Sequence, residues 1–246
     1  MMQGNTYVMS DLHGCYDEYI KMLELINFNK NDKLYILGDI IDRGTKPIEI
    51  IMDIFERDNV TALLGNHEFY AREVLKHVNS YIDEISEEFY DKSIREKYFI
   101  WQYNGGETTF DEYYRLSIKE QKQIVNFLLN LPTYIELEVS RKKFILMHAG
   151  INKYMTDDER KFLKPEDFIM NSPTNFSTPF FQEEKSRFLI FGHMPTFRLH
   201  NYDADAESGK IFIKNNYIDI DCGVVFPNYG GRLGCLCLND MKEFYI

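Results

Sequence analysis

Five short polar clusters follow apolar runs in this chain, and their residue types are those that bind divalent cations. They read Ser10-Asp11-Leu12-His13-Gly14, Gly38-Asp39-Ile40-Ile41-Asp42-Arg43-Gly44, Gly65-Asn66-His67-Glu68, His148-Ala149-Gly150 and Gly192-His193. Four of the six histidines fall inside them. Carboxylate and amide oxygens with imidazole nitrogens suit hard and borderline metals. Asp11, His13, Asp39, Asn66, His148 and His193 supply two carboxylates, one amide and three imidazoles, enough for two ions if Asp39 bridges them. Two ions roughly 3.5–4 Å apart can clamp the attacking and leaving oxygens of a phosphate ester and acidify a bridging water to hydroxide near neutral pH.

The neighbouring side chains complete that chemistry. His67 follows Asn66, so it can sit over the ions without being a ligand and protonate the leaving oxygen as general acid. Asp42, three residues beyond Asp39, is a candidate to hydrogen-bond His67 and raise its pKa. Arg43 can grip phosphate oxygens through its planar fork. Singly, each has a plainer role: a lone strand-end Asp or His is more often a helix cap or a satisfied core group. The weight lies in five such clusters, all at strand ends.

The elements that must position these residues are visible as short apolar runs at Thr6–Ser10, Leu34–Gly38, Thr61–Leu64, Phe144–Met147 and Phe188–Phe191. Near-continuous apolar runs are how strands covered on both faces read, with helices between them. Ligands of open α/β sheets collect beyond the carboxyl ends of strands, where every cluster lies. Helical stripes follow at Tyr16, Tyr19, Ile20, Leu23 and Ile26, behind Pro47 at Ile48, Ile51, Met52 and Phe55, and at Phe69, Val74, Leu75 and Val78. Ser117-Ile118-Lys119-Glu120 has the capping-box form ahead of another helix. The expected organisation is one domain over residues 1–246, with a helical insertion at about 80–132 and an irregular loop or cap at about 152–186. Strands return at Lys210–Lys214, Tyr217–Asp221 and Leu233–Leu238, as antiparallel hairpins with a turn at Asn228-Tyr229-Gly230-Gly231 between the last two.

Composition narrows the class. The 246 residues are 44% hydrophobic and 15% aromatic, a globular balance. A net charge of −11 without a basic run argues against nucleic acid as a partner, and any phosphate must be drawn by a local positive centre that bound ions would supply. No stretch approaches the ~20 apolar residues of a membrane span. Cys15, Cys222, Cys235 and Cys237 form no Cys-x-x-Cys pair, so a reducing, cytoplasmic setting is expected.

The run Gly-Asp-x-x-Asp-Arg-Gly followed by Gly-Asn-His-Glu resembles the phosphoprotein phosphatases of the calcineurin-like metallophosphoesterase superfamily, in particular their short bacterial and phage-type members. The likeness runs from about residue 6 to the C-terminus. It includes Phe191-Gly192-His193-Met194-Pro195-Thr196, and Trp101 with Asn104-Gly105-Gly106-Glu107-Thr108. It implies an α/β fold, a four-layer α/β/β/α sandwich of two mixed sheets flanked by helices. It implies one metal held by Asp11, His13 and Asp39, and a second by Asp39, Asn66, His148 and His193. Manganese is the first expectation for the two ions, with iron or zinc as other occupants. His67 with Asp42 would form the acid dyad and Arg43 would bind phosphate.

Two departures from the family pattern stand out. Ser10 replaces the leading glycine of the first motif and should not touch the ligands. The second phosphate-gripping arginine expected between the His-Ala-Gly and Gly-His motifs has no counterpart in Phe168-Ile169-Met170-Asn171-Ser172-Pro173, and only Arg160 and Arg187 lie in that interval. The resemblance implies a serine/threonine phosphoprotein phosphatase, a reading that Glu68 favours because the dinucleoside-polyphosphate branch commonly has aspartate there. The alternative is hydrolysis of a dinucleoside tetraphosphate or another small phosphorylated molecule, which the missing arginine and the polar segment from Asn152 to Glu184 favour. A metal-binding scaffold without catalysis would have no use for His67, Asp42 and Arg43.

Overall fold

The computed structural model describes residues 4–80, 92–151, 157–182 and 184–246. Two five-stranded mixed sheets form its centre. The first has the order β10-β9-β1-β2-β3, with β1 at Thr6–Met9, β2 at Lys33–Ile36, β3 at Val60–Ala62, β9 at Gly234–Cys237 and β10 at Lys242–Tyr245. The second has the order β4-β5-β6-β8-β7, with β4 at Tyr134–Val139, β5 at Lys142–Met147, β6 at Arg187–Phe191, β7 at Phe212–Lys214 and β8 at Tyr217–Asp219. The strands β1, β2 and β3 are parallel, and so are β5, β6 and β8; the outer pairings are antiparallel.

The alternation of side chains along each strand explains the layers. Val8, Leu37 and Leu63 from the first sheet meet Phe144, Leu146, Ile190 and Ile218 from the second in one apolar cluster. The residues between them, Tyr7, Met9, Leu34, Ile36, Ile145 and Met147, belong to the larger core beneath the helices. Covered on both faces, these strands carry no polar alternation. The expected four-layer sandwich of two mixed sheets flanked by helices is what the chain forms.

Helices α1 (Tyr16–Leu25), α2 (Pro47–Phe55) and α3 (Asn66–Ser80) follow β1, β2 and β3; α1 and α2 begin just past a polar cluster, and the third cluster forms the first turn of α3. Pro47 occupies the first turn of α2, as its spacing predicts. In the expected insertion, α4 (Lys92–Trp101), a five-residue π-turn at Gln102–Gly106, α5 (Glu107–Tyr113) and α6 (Ile118–Leu129) are helical, and Ser117 and Glu120 close a capping box. Residues 81–91 of that stretch lie outside the described residues. In the expected cap, α7 (Asp157–Arg160) and α8 (Pro165–Ile169) are short. This segment nevertheless buries Phe168, Ile169, Phe176 and Phe180 in the main core. Residues 152–156 and 183 are outside the described residues.

One C-terminal expectation is corrected. The strands β7 and β8 do form a hairpin, turned by Asn215 and Asn216 at φ +48° and +68°. The strands β8 and β9, however, are not paired: the stretch between them crosses from the second sheet to the first, where β9 lies against β1 and β10. A strand's apolar pattern reports that both faces are buried, not which neighbour it pairs with. The remaining described helix is α9 (Thr196–Leu199), just past β6.

Candidate metal centre

The parallel strands bring their C-terminal ends together, three from one sheet and three from the other. Asp39 stands at the middle. Its Oδ2 is 3.6 Å from His13 Nε2, 3.4 Å from His148 Nε2 and 3.8 Å from His67 Nε2. Two sets of donor atoms crowd together here, His13 with Asp39 and His67, and Asp39 with His148 and His193. Asp39 is common to both. Asn66 Oδ1 lies 3.0 Å from His148 Nε2 and 2.9 Å from His193 Nδ1.

Hydrogen bonds fix how the imidazoles face. His13 Nδ1 donates to Ile41 O at 3.1 Å and His148 Nδ1 to Leu37 O at 2.8 Å, which aims both Nε2 lone pairs into the crevice. With that tautomer, His148 Nε2 and Asn66 Oδ1 are two acceptors facing each other at hydrogen-bond distance. A cation resolves such an arrangement, and the oxygen and nitrogen donors fit a borderline divalent ion. Burial opposes the charge of Asp39, but His148, His67, His13 and His193 overcome it and hold the carboxyl well below its usual range. Burial, then His148, lowers His193 to about 4, and burial with Arg43 and His67 lowers His13. Both shifts favour the neutral imidazole, the form in which a histidine binds a metal ion.

Asp11 stands beside these sets rather than inside them. Its Oδ2 accepts from the His193 backbone N–H at 3.1 Å and from the Ser10 hydroxyl. Ser10 thus touches an expected ligand, contrary to its sequence reading, because the hydroxyl that replaces a glycine hydrogen finds the adjacent carboxylate. Burial, and the charge of Asp39, push Asp11 up to about 6 against the opposing effect of His148.

The two residues expected to form an acid dyad, His67 and Asp42, are hydrogen-bonded to each other. His67 Nδ1 donates to Asp42 Oδ2 at 2.6 Å, both side chains fully buried. Asp42 also accepts from Trp101 Nε1 at 2.7 Å and from the Thr109 hydroxyl, while its own N–H donates to Thr109 Oγ1 at 2.9 Å. Burial works against a charged His67, yet Asp39 and Asp42 together raise its pKa, with Arg43 opposing them. The Arg43 guanidinium bridges the two halves of the site, Nη1 2.6 Å from His13 Nε2 and Nη2 3.0 Å from His67 Nε2. Its backbone N–H donates to Gly105 O and its Nε to Asn104 O. Gly105, at φ +102°, would place a Cβ 2.7 Å from Arg43 Cγ, so the π-turn can embrace the arginine only with glycine there.

Glu68 has a different role from the one its sequence position suggested. It is fully buried, and its carboxylate accepts from the backbone N–H of Asp39 (2.8 Å), Ile40 (2.9 Å), Ile41 (3.3 Å) and Gly65 (3.0 Å). Burial and Asp39 push it up to about 7. Glu68 braces the loop that carries Asp39, with both carboxylate oxygens taken up by backbone N–H groups. A Cβ at Gly65 would strike the Asp39 carboxylate, so the two loops need glycine to approach so closely.

Arg160 Nη2 donates to Glu136 on the edge strand β4 at 2.9 Å, and Arg187 reaches Glu136 and Glu184 while lying over Phe181. Sequence reading also missed residues. Trp101 and Thr109 act through Asp42, about 60 positions earlier, and only the resemblance around Trp101 pointed there. Asp221 follows β8, a sixth strand end, and is buried close enough to Asp11 and Asp39 that burial and their charges raise its pKa far above normal. Six of the site's non-glycine residues hold positive φ: Asp11, His13, Asp39, Asp42, Arg43 and His193.

The sequence model of the calcineurin-like phosphoesterase family matches residues 4–225. The chain belongs to the calcineurin-like phosphoesterases. Among curated relatives, a symmetrical bis(5'-nucleosyl)-tetraphosphatase of Buchnera aphidicola subsp. Acyrthosiphon pisum (strain Tuc7) is 31% identical over 150 residues, 60% of this chain and 45% of the relative. One from Wigglesworthia glossinidia brevipalpis, with the same name, is 47% identical over 64 residues, 25% of this chain and 24% of the relative. The matched stretches thus span less than half of those relatives' length. Among solved structures, a candidate diadenosine tetraphosphatase aligns with all of this chain and 94% of its own, at a TM-score of 0.60 and 17% identity. A Saccharomyces cerevisiae serine/threonine phosphatase aligns with 96% of this chain and 73% of its own, at 0.59 and 13%. At those identities the likeness is one of fold. Calcineurin-like phosphoesterases are divalent-metal hydrolases, and the histidine and aspartate sets described above are groups that could hold such ions. No helix among the described residues is long and apolar enough to cross a membrane.

Proposed function

We propose that this chain is a dinucleoside tetraphosphate hydrolase, splitting the phosphate chain symmetrically into two nucleoside diphosphates. The observation that carries the reading is the likeness to curated relatives of that name. Glu68, whose identity favours the phosphoprotein branch, is buried and hydrogen-bonded to the backbone of the Asp39 loop, so it supports no direct contact with a substrate.

In this reading Asp39 is the shared ligand, with Asp11 and His13 on one side and Asn66, His148 and His193 on the other. Two divalent ions there would supply positive charge for phosphate oxygens and acidity for an attacking water. Arg43 turns its fork to the phosphate, a bidentate contact. In the present arrangement Arg43 Nη2 donates to His67 Nε2, which keeps that nitrogen unprotonated. When a phosphate draws Arg43 away, its opposition to a charged His67 ends, Nε2 takes a proton from solvent, and Asp42 stabilises the imidazolium. As water oxygen bonds to phosphorus and the bridging P–O bond breaks, His67 Nε2 gives its proton to the leaving oxygen.

The test is turnover by Mn²⁺-supplemented protein of diadenosine tetraphosphate against phosphoserine and phosphothreonine peptides. A preference of about 10²-fold or more in kcat/KM for the nucleotide, with ADP as product, is expected. A preference for the phosphopeptides would restore the phosphoprotein phosphatase reading, and turnover of neither would leave a metal-binding scaffold.

A further inference from the structure

Beyond Arg43 the wall of the crevice turns aromatic. The Arg43 guanidinium lies 5.5 Å from the ring centre of Phe226. Phe226 meets Phe197 edge-on at 5.6 Å and 77°, and Phe197 lies almost parallel to Tyr229, 5.0 Å apart at 13°. The guanidinium of Arg198 sits 5.8 Å from the Phe197 ring centre. These side chains come from two segments that leave the metal crevice directly. Phe197 is in α9, four residues past His193, and Phe226 and Tyr229 lie in the stretch that follows Asp221.

The row is graded in exposure and rigid in backbone. Phe226 and Phe197 are half-buried, whereas Tyr229 is 63% exposed, so the ring face turned away from Phe197 is open to solvent. A short 3-10 turn at Pro227–Tyr229 carries Tyr229; its N–H donates to Phe226 O, and its carbonyl accepts from the Ser208 hydroxyl. Core packing accounts for Phe226 and for one face of Phe197. It does not account for a flat tyrosine held parallel above them with its outer face free.

We propose that Phe226, Phe197 and Tyr229 form a nucleobase platform: a phosphate chain gripped at Arg43 extends along this wall and stacks its base on the open face of Tyr229. The inference rests on the dinucleoside tetraphosphate reading and deepens it. Stacking on an aromatic face is tolerant of base identity, since every base has a π-face. Arg198, at the rim, adds a cation within reach of the same aromatic stack. The platform therefore selects nucleotides over base-free polyphosphates without choosing among bases strongly.

Calorimetric binding of ADP and of inorganic pyrophosphate to the Mn²⁺-loaded protein tests this in wild type, Tyr229→Ala and Tyr229→Phe. Loss of one stacked base corresponds to a weakening of about tenfold or more. Tyr229→Ala should raise the Kd for ADP by that factor and leave pyrophosphate unchanged, and Tyr229→Phe should bind ADP like wild type. Equal ADP binding by wild type and Tyr229→Ala, equal weakening of ADP and pyrophosphate, or no ADP binding by wild type would overturn the platform. Base-dependent ADP binding without hydrolysis of diadenosine tetraphosphate would leave the platform standing and reject the substrate reading. Hydrolysis with binding unaffected by Tyr229→Ala would do the reverse.

Discussion

Glu68→Gln should loosen the loop carrying Asp39 and weaken metal loading while leaving substrate preference untouched. The carboxylate takes two backbone N–H groups on each oxygen, Asp39 and Gly65 on Oε2 and Ile40 and Ile41 on Oε1. A glutamine amide has one acceptor oxygen. Whichever way it turns, its NH₂ faces two N–H donors that then lose their partner. At about 1.5–3 kcal/mol for each hydrogen bond to a charged acceptor, the change costs roughly 3–6 kcal/mol. For a chain of this size that lowers Tm by about 6 °C or more. Thermal unfolding, Mn²⁺ titration by calorimetry well below the transition, and the ratio of nucleotide to phosphopeptide turnover read the three consequences separately. A variant that melts within about 2 °C of wild type and loads both ions with wild-type affinity would refute the bracing role. A shift in the substrate ratio of about tenfold would show instead that Glu68 reaches the substrate.

Four further outcomes are expected. Asp39→Ala should bind fewer than two ions per chain, and a retained stoichiometry of two by metal analysis would reject the shared ligand. His67→Asn should slow hydrolysis of poor leaving groups by about 10²–10⁴, with a smaller loss for nitrophenyl phosphate; an equal loss for both would reject acid catalysis. Trp101→Phe keeps an aromatic ring, smaller than the indole, but removes the N–H that donates to Asp42, so kcat should fall about tenfold with the same leaving-group trend and little change in KM. Asp219→Asn should stabilise the fold more at pH 8 than at pH 5. Burial and the neighbouring Asp221 raise the Asp219 carboxyl far above its unfolded value near 4, so the native state binds the extra proton and stability falls as pH rises above that value, by up to about 1.4 kcal/mol per pH unit. Denaturant unfolding at the two pH values checks this, and identical pH dependence in the variant would refute it.

Much of the catalytic frame was legible because it is local. The five clusters sit where strands end, Pro47 and the Ser117–Glu120 box mark helix starts, and the apolar spacing of α1, α2 and α3 is regular. What escaped is what depends on partners distant in sequence. The pairing of β9 with β1 rather than β8 is invisible in a run buried on both faces. Trp101 and Thr109 look like helix residues until the π-turn folds them onto Asp42. The run Ile218-Asp219-Ile220-Asp221 reads as a strand with one polar face, yet both aspartates are buried. Glu68 marked a branch of the family from its motif alone, and its four backbone donors make it a strut.

The same geometry explains why the site needs such struts. Six non-glycine residues of the crevice hold positive φ, a conformation that costs of order 1 kcal/mol or more apiece for ordinary side chains, so their combined strain approaches the net stability of a typical domain. It persists only because the surroundings overdetermine it. Glu68 holds the Asp39 turn by four hydrogen bonds, and Gly105 and Asn104 hold Arg43 through their carbonyls. Trp101 and Thr109 hold Asp42, and the Asp11 carboxylate holds the backbone of His193. Four of the six strained residues thus have a partner that is not itself expected to be a metal ligand, or that belongs to the opposite sheet. The energy for aiming the donors comes from the fold. A ligand set preorganised in this way gives metal affinity that falls when a strut is removed, even though every ligand remains in place.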